Sequence, residues 1–160
     1  MIRLIVAMDQ RRGIAKNGYR PWSLPEDMAY FAKQTKSHGG NVLVGGITFR
    51  NDIKGKPLAD RTTYLLTRDS KPIEGVRLVH DLDAWLAGLQ QDVWILGGAS
   101  VYQQIMERGK VDELYVTHIN ADLGCDQFFP EYAAKFHLQS QSDLRSQNGF
   151  DFTHAVYTRQ

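Results

Sequence analysis

The sequence has little of several features that would define other classes of protein. It holds a single cysteine in 160 residues, Cys125, which excludes an internal disulfide framework and favours a reducing compartment. No apolar run is long enough to span a bilayer, and the apolar first eight residues lack the pattern of a secretory signal. No linker or low-complexity tract interrupts the chain. We therefore expect one domain over residues 1–160, located in the cytoplasm.

An excess of charge of one sign is also missing. Nineteen Lys and Arg residues face 18 Asp and Glu residues, and the formal net charge is +1. Because both signs are scattered, we expect neither nucleic acid nor a membrane as partner. The histidines show no zinc-ligand spacing, and no Gly-x-Ser-x-Gly motif is present, so no metal and no serine nucleophile are expected. A small-molecule enzyme or binding domain remains, and we expect a monomer.

Strand-like and helix-like segments alternate along most of the chain. Apolar, β-rich runs occur at residues 2–8, 41–44, 61–67, 76–79, 93–96 and 114–119, with helical patterns between several of them. The last part, 137–142 and 150–158, alternates around a turn-like segment and predicts a hairpin. This order predicts an α/β fold with a mostly parallel sheet, helices on both faces and an antiparallel strand at the end.

Two signals mark the region before and within the first helix. The polar segment 9–20 is unusually long for a loop in so small a domain, and such loops are often functional lids. Ser23-Leu24-Pro25-Glu26 then predicts a helix start, with Ser23 as the N-cap and Glu26 closing a capping box. Asp81 is likewise predicted to cap a later helix.

Asp27 is the strongest candidate for chemistry. It follows Leu24 by three residues and precedes Phe31 by four, which places it on the apolar face of the predicted helix. A carboxylate there is costly unless it is hydrogen-bonded, paired or protonated. The alternative is an acid favoured in the first helical turn by the helix dipole. That alternative would suit Glu26 equally well and does not explain an inward position, so we favour a functional role.

Two Gly-Gly pairs, Gly45-Gly46 and Gly97-Gly98, each follow an apolar strand and precede a helix. Glycine allows a ligand to approach the backbone, and a helix N-terminus offers free N–H groups, so both could hold a pyrophosphate. Each could equally serve only as a tight turn. Arg61 and Arg68 flank a strand and could bind carboxylate or phosphate, although a solvated charge is the simpler interpretation of each alone.

Longer motifs resemble one family. The segment Pro21-Trp22-Ser23-Leu24-Pro25-Glu26-Asp27-Met28 is similar to the Pro-Trp-x-Leu-Pro-x-Asp segment of bacterial chromosomal dihydrofolate reductases. Lys56-Pro57-Leu58-Ala59-Asp60-Arg61 and Ile95-Leu96-Gly97-Gly98-Ala99-Ser100-Val101-Tyr102 resemble two further segments of that family, as do residues 114–119 and 126–130. The resemblance covers essentially the whole chain and implies a dihydrofolate reductase-like domain with an eight-stranded sheet.

The resemblance implies NADPH-dependent reduction of 7,8-dihydrofolate, with hydride transfer to C6, protonation at N5 through water, and inhibition by antifolates. Asp27, Trp22 and Thr117 are the implied catalytic residues. The implied substrate pocket consists of Ile5, Val6, Asp27, Met28, Phe31, Ile53, Lys56, Leu58, Arg61, Leu96 and Thr117. The implied cofactor site consists of Ala7, Ile14, Asn17, Gly18, Gly45, Gly46, Ile47, Thr48, Leu66, Thr67, Arg68, His80, Gly97, Gly98, Ala99, Ser100, Val101, Tyr102 and Gln104.

The chain departs from the family where the cofactor's 2′-phosphate would bind. Members commonly have a basic residue directly after the glycine at Gly45, and some have arginine at the position of Ser100, whereas this chain has Gly46 and Ser100. Thr67, Arg68 and His80 remain as the implied partners of NADPH. Two alternatives stay open: a pteridine- or pyrimidine-reducing enzyme of the same fold, such as a riboflavin-pathway reductase, and a nucleotide-binding domain without catalysis. Neither would need Asp27 together with Arg61.

Overall fold

The computed structural model describes all residues, 1–160, and contains four helices and eleven strands. The helices are α1 (Pro25–Lys36), α2 (Gly46–Asn51), α3 (Leu82–Ala87) and α4 (Ala99–Glu107). The strands are β1 (Ile2–Met8), β2 (Gly13–Ala15), β3 (Asn41–Gly45), β4 (Thr62–Leu66), β5 (Val76–Val79), β6 (Val93–Ile95), β7 (Glu113–Ile119), β8 (Gln127–Phe128), β9 (Phe136–Gln141), β10 (Arg145–Gln147) and β11 (Phe150–Arg159).

The main sheet has the strand order β10-β11-β7-β1-β6-β3-β4-β5, and β9 also pairs with β11. The six strands from β7 to β5 are parallel, whereas β11 runs antiparallel to β7, β9 and β10. The predicted α/β class, with its mostly parallel sheet and antiparallel C-terminal strand, is therefore confirmed. The sheet has nine strands rather than eight. The extra strand arises because residues 136–147 divide into β9 and β10, which both bond to β11.

The central strands are buried on both faces, as their continuous apolarity predicted. On β1, Leu4 and Val6 face a cluster completed by α3 and α4, whereas Ile5 faces a second cluster that includes Phe49 of α2. Phe31 of α1 packs against that second cluster. Helices therefore cover both faces, and the carboxyl ends of the parallel strands are left as an edge at which a ligand can bind.

The predicted capping box at the start of α1 is wrong. Leu24 is the N-cap, and no side chain of the helix bonds to the first turn. Instead, the backbone N–H of Glu26 donates to the Gln147 side chain at 2.8 Å, and the Glu26 carboxylate accepts a hydrogen bond from Arg145. The C-terminal hairpin thus satisfies a donor that the local sequence leaves open. At α3 the predicted cap is confirmed, since the Asp81 carboxylate accepts from the Ala84 N–H at 3.1 Å.

The polar segment 9–20 contains regular structure. It includes β2, which pairs with β8, and it folds around the buried Asp9 carboxylate. Burial alone would raise the pKa of Asp9, but backbone N–H groups of Leu123, Gly13 and Arg11 donate to this carboxylate and lower the pKa below its usual value. Gly13 has no room for a side chain, because a Cβ would lie 2.5 Å from the Cβ of Cys125. Hydrogen bonds to the Asp9 carboxylate therefore hold the first residues of segment 9–20 in a turn.

None of the four helices combines the length and the apolar composition that crossing a bilayer requires.

Candidate active site

One large cavity of about 1010 Å³ lies along the carboxyl ends of the parallel strands. Its wall includes Gly45 at the end of β3, Leu66 at the end of β4, Leu96 directly after β6 and Thr117 on β7. The segment 9–20 and α1 close it from the other side. In open α/β sheets this edge is where ligands bind, because loops and helix N-termini converge there.

Most of the predicted site residues meet in this cavity. Of the predicted substrate residues, eight line it: Ile5, Val6, Asp27, Met28, Phe31, Ile53, Leu96 and Thr117. Of the predicted cofactor residues, all but Gly97 line it: Ala7, Ile14, Asn17, Gly18, Gly45, Gly46, Ile47, Thr48, Leu66, Thr67, Arg68, His80, Gly98, Ala99, Ser100, Val101, Tyr102 and Gln104. The two sets therefore share a single cleft, as a reaction between two bound molecules requires.

Four other predicted residues lie outside the cavity wall. Trp22 packs against the small cluster that contains Leu24, and Leu58 packs on the second core cluster. Lys56 is exposed. Arg61 lies beside α1, where its Nη1 donates to the Thr35 hydroxyl at 2.8 Å and its Nε donates to a backbone carbonyl. Any contact of these four with a ligand would therefore be made at the rim of the cleft or beyond it.

Asp27 is buried in the first turn of α1, with 7% of its surface exposed. Its Oδ1 accepts a hydrogen bond from the Thr117 hydroxyl at 2.6 Å and lies 3.1 Å from Nε2 of His154. A carboxylate so far out of water is held by such donors, since burying it without them would be costly. The carboxylate lines the cavity together with apolar side chains of α1 and β1. It is therefore a hydrogen-bonding group among the apolar side chains that these two elements present to the cavity.

The two Gly-Gly pairs come together at the other part of the cavity. The N–H of Gly45 donates to the carbonyl of Gly97 at 2.7 Å; α2 begins at Gly46, and α4 begins directly after Gly98. A Cβ at position 45 would lie 2.7 Å from Val101, and one at Gly98 would lie 3.0 Å from the Thr48 hydroxyl. Glycine is thus required for close approach of the backbone. The resulting cradle of N–H groups is suited to a phosphate group.

Substitution of Gly97 tests how closely this junction is packed. Gly97 has a φ of +107°, and a Cβ there would lie 2.9 Å from the ring of Tyr102. The Tyr102 hydroxyl is within hydrogen-bond distance of the Ile5 and Leu96 carbonyls, at 2.7 and 2.8 Å, so the ring has no room to move. We expect Gly97→Ala to lower the free energy of unfolding by about 2–4 kcal/mol, as measured by urea denaturation.

Gly55 supplies the matched control for this substitution. It also has a positive φ, +72°, but no atom lies within 4 Å of a Cβ built there. Gly55→Ala therefore introduces left-handed strain without a clash and is expected to cost only ~1 kcal/mol. Equal losses in the two variants would show that the contact with Tyr102 is unimportant.

Arginine and histidine side chains lie where β4 and β5 end. Arg68 and His80 line the cavity there, and the His80 ring lies 2.9 Å from the Thr67 carbonyl. Arg108 also lines it, but its charge is matched by Asp83 at 2.6 Å. This part of the cleft therefore suits an anionic group.

Arg50 of α2, an exposed residue outside the cavity wall, was not among the predicted site residues. Arg50 lies one helical turn after Gly46, and its Nη1 is 3.1 Å from the position that a Cβ at 46 would take. The spacing of four residues along α2 was the available signal. The Arg50 guanidinium therefore lies beside Gly46, the position at which members of the resembled family commonly have a basic residue.

Eight residues of the cavity wall were also not predicted. They are Ala15, Arg20, Asp52, Asp81, Leu82, Arg108, Asp126 and Gln127. Arg20 and Asp52 form a pair at 4.0 Å, and burial raises the pKa of the Asp52 carboxyl. Asp126 accepts from the backbone N–H of Asn17 at 3.0 Å, which ties segment 9–20 to the loop after β7. These contacts join residues distant in the chain, so no local pattern predicted them.

Fold and site together define a nucleotide-binding enzyme of the α/β class, with a buried carboxylate in the pocket next to a phosphate cradle. The family model described as dihydrofolate reductase matches residues 1–159. The chain therefore belongs to the dihydrofolate reductase family.

Individual relatives agree with this assignment over most of their length. The chain is 33% identical to a dihydrofolate reductase of Sus scrofa, with 99% of this chain and 97% of the relative covered. It is 33% identical to one of Staphylococcus aureus, with 82% and 79% covered. Among solved structures, it matches a dihydrofolate reductase from Enterococcus faecalis complexed with NADP(H) and RAB-propyl, with a TM-score of 0.84, 28% identity, and 100% and 96% of the two chains covered.

Proposed function

We propose that this chain reduces 7,8-dihydrofolate to 5,6,7,8-tetrahydrofolate with NADPH, as a supply for one-carbon and thymidylate metabolism. The observation that carries the proposal is the buried carboxylate of Asp27 in the same cleft as the glycine-opened phosphate cradle. Membership of the dihydrofolate reductase family over residues 1–159 supports the same reaction.

Asp27 is the group that orients the pterin. With Oδ1 engaged by Thr117 and His154, its Oδ2 is available to accept from the amino-pyrimidine edge of the substrate. The negative charge also favours the substrate protonated at N5, because a cation gains more from a carboxylate in a low-dielectric pocket than in water. The proton itself arrives through water, and Trp22 closes the edge of the site. Ile5, Phe31 and Leu96 hold the ring and exclude bulk solvent.

The cofactor site is supported by the cradle of Gly45, Gly98 and Thr48, in which the two glycine positions leave no room for a side chain. A pyrophosphate would be held there by backbone N–H groups. NADPH supplies the hydride when it is bound. The residues of this chain contribute the alignment of the two rings and the exclusion of water, which segment 9–20 provides by lying across the cleft.

Arg68, His80 and Thr67 form the proposed site for the 2′-phosphate, and Arg50 adds a guanidinium at the otherwise bare Gly46. Neither Arg50 nor Arg68 pairs with a carboxylate, so both charges are free to bind an anion. Arginine binds phosphate in a bidentate manner, which makes these two residues the basis for preferring NADPH to NADH.

The reaction and the cofactor preference are tested together. Purified protein is given 7,8-dihydrofolate with either NADPH or NADH, and oxidation of the nicotinamide is followed by absorbance. We expect turnover with both and a clearly higher kcat/KM with NADPH. A folded sample with no turnover would favour a nucleotide-binding domain without catalysis.

Arg68→Ala then tests the basis of the preference. We expect it to raise KM for NADPH by about 10- to 100-fold and to leave the kinetics with NADH nearly unchanged, because a charged hydrogen bond to the phosphate is lost. Arg50→Ala is expected to act in the same direction. Arg77→Ala is the control, since Arg77 of β5 stacks over Tyr64 of β4 and lies outside the cavity wall. Equal losses with both cofactors would exclude Arg68 from the 2′-phosphate site.

Further properties follow as proposals. The lone Cys125 supports a cytoplasmic location, and residues 1–160 are proposed to form a single domain that acts as a monomer. Antifolates are expected to compete with dihydrofolate for the pocket around Asp27.

A further inference from the structure

A histidine lies against the buried carboxylate of the proposed active site. His154 is on β11, directly opposite Thr117 of β7 in the sheet. Its Nε2 is 3.1 Å from Oδ1 of Asp27, and each of the two side chains is only 10% exposed. The Thr117 hydroxyl donates to the same oxygen at 2.6 Å. Asp27 therefore meets two protein groups through one oxygen, while the other oxygen is left for a ligand.

We propose that His154 is a positioning residue for Asp27. His154 holds Oδ1 of Asp27 so that Oδ2 faces the substrate, and it makes the charge of the site depend on pH. The inference rests on the function proposed above. An ionised carboxylate only accepts hydrogen bonds, so Nε2 of His154 is the donor in this pair. Thr117 and His154 together fix the carboxylate plane, which one donor alone would leave free to rotate.

The surroundings of His154 hold its ring in place. The imidazole stacks on Tyr30 with 3.8 Å between ring centres and 5° between planes, and Phe152 meets its edge at 5.6 Å. The backbone N–H of His154 donates to the Ser142 hydroxyl at 2.9 Å. A ring held on several sides loses little further entropy when it bonds to Asp27.

The titratable and charged groups that face His154 from the neighbouring elements are few. From α1, Asp27 and Tyr30 face the ring, and from β7 the cross-strand neighbour is Thr117. Burial, with smaller contributions from Tyr115 and Asp27, raises the pKa of Tyr30 to about 12, so that phenol stays neutral. Glu26, next to Asp27, pairs with Arg145. Histidine ordinarily changes charge between about pH 5 and 8.

Protonation of His154 would change what the site favours. With a neutral ring, the pair carries the single negative charge of Asp27, which stabilises a substrate protonated at N5. With an imidazolium, the pair is neutral overall, and that stabilisation is reduced. Lower pH therefore raises the fraction of substrate that is protonated, but it also reduces the stabilisation of that cation by Asp27. The wild type should gain less from acidification than a variant without the titrating ring.

Two variants separate positioning from charge. His154→Gln keeps an N–H donor near the place of Nε2 but does not titrate, and His154→Phe keeps the stacked ring but has no donor. His118→Gln is the matched control: His118 bonds to Tyr157 at 2.8 Å on the same sheet and has no hydrogen bond to Asp27, and burial lowers its pKa. For each protein, the hydride-transfer rate in single turnover and the Kd of folate by fluorescence quenching are measured from pH 5 to 8.

We expect His154→Phe to slow hydride transfer and weaken folate binding at pH 8, and His154→Gln to restore most of both. From pH 8 to pH 5 the rate ratio of His154→Gln to wild type should rise by about 3- to 10-fold, whereas that of His118→Gln should stay constant. A flat ratio, with wild-type rates in His154→Phe, would overturn the proposal. If His154→Phe does not fold, the His154→Gln ratio alone decides. Absence of turnover in the wild type would instead reject the proposed function, and folate binding would still report on His154.

Discussion

Asp27→Asn is expected to lower the rate of hydride transfer at pH 7 by about 10²- to 10⁴-fold and to leave the fold intact. The asparagine carbonyl can still accept from Thr117, so α1 and β7 remain joined. The negative charge that favours the N5-protonated substrate is lost, however, and an N–H group now stands where an acceptor faced the ligand. Single-turnover kinetics with NADPH and dihydrofolate measure the change.

The pH dependence identifies the cause of the loss. If Asp27 acts by favouring protonated substrate, acid should partly rescue Asp27→Asn, because solvent then supplies the proton that the protein no longer stabilises. Asp52→Asn is the matched control, since Asp52 is a second, partly exposed carboxylate in the wall of the same cavity with no assigned role in the reaction. It should show a far smaller loss and no rescue in acid. An unchanged rate in Asp27→Asn would remove Asp27 from the mechanism.

Arg61→Leu is expected to weaken binding of dihydrofolate by about 2–3 kcal/mol, or roughly 30- to 160-fold in Kd. Arg61 lies outside the wall of the cavity, and its guanidinium is held by the Thr35 hydroxyl and the Ala59 carbonyl. Burial lowers its pKa from the usual value, although an arginine remains charged at neutral pH. A held cation there is suited to the α-carboxylate of the glutamate tail, and we expect kcat to change little.

The substrate itself provides the control for this variant. A dihydropterin that lacks the glutamate tail has no carboxylate for Arg61 to bind, so its affinity should be the same for wild type and Arg61→Leu. Arg61→Lys keeps the charge without the planar pair of donors, so its affinity for dihydrofolate should lie between those of the wild type and Arg61→Leu. If the affinities for both substrates fall equally, Arg61 acts on the structure of the pocket through Thr35 and does not bind the glutamate tail.

The fold was predictable from the sequence where the signal is local. Apolar runs predicted the buried strands, and the structure confirms the mostly parallel sheet, in which β1, β6, β3, β4 and β5 are parallel. The predicted cap at Asp81 is present because an N-cap bonds within its own first turn. The predicted cap at Ser23 is absent, and the Gln147 side chain accepts the hydrogen bond from the Glu26 N–H of that turn. A local motif is therefore a poor predictor where a distant segment of the chain can bind the same N–H donor.

The candidate site divides in the same way. The spacing of Asp27 from Leu24 and Phe31 predicted an inward carboxylate, because helix geometry sets which side chains share a face. Which groups would bond to it could not be predicted. Thr117 was expected only from the resemblance, and His154, 127 residues away, was not expected. Arg50 beside Gly46 needed only one turn of helix, yet its significance depends on the cavity wall that Gly46 joins.

By itself, the sequence determined the α/β class, the glycines that bring backbone N–H groups to a ligand, and the inward position of Asp27. Each of these follows from the periodicity of strands and helices or from the absence of a side chain, and both are properties of a few consecutive residues. Only the tertiary structure decided that Thr117 and His154 share one oxygen of that carboxylate, that Gln147 caps α1, and that segment 9–20 is held by its contacts with residues 123–128. Those outcomes depend on strand pairing across the sheet, which joins residues about a hundred positions apart and leaves no local pattern in the chain.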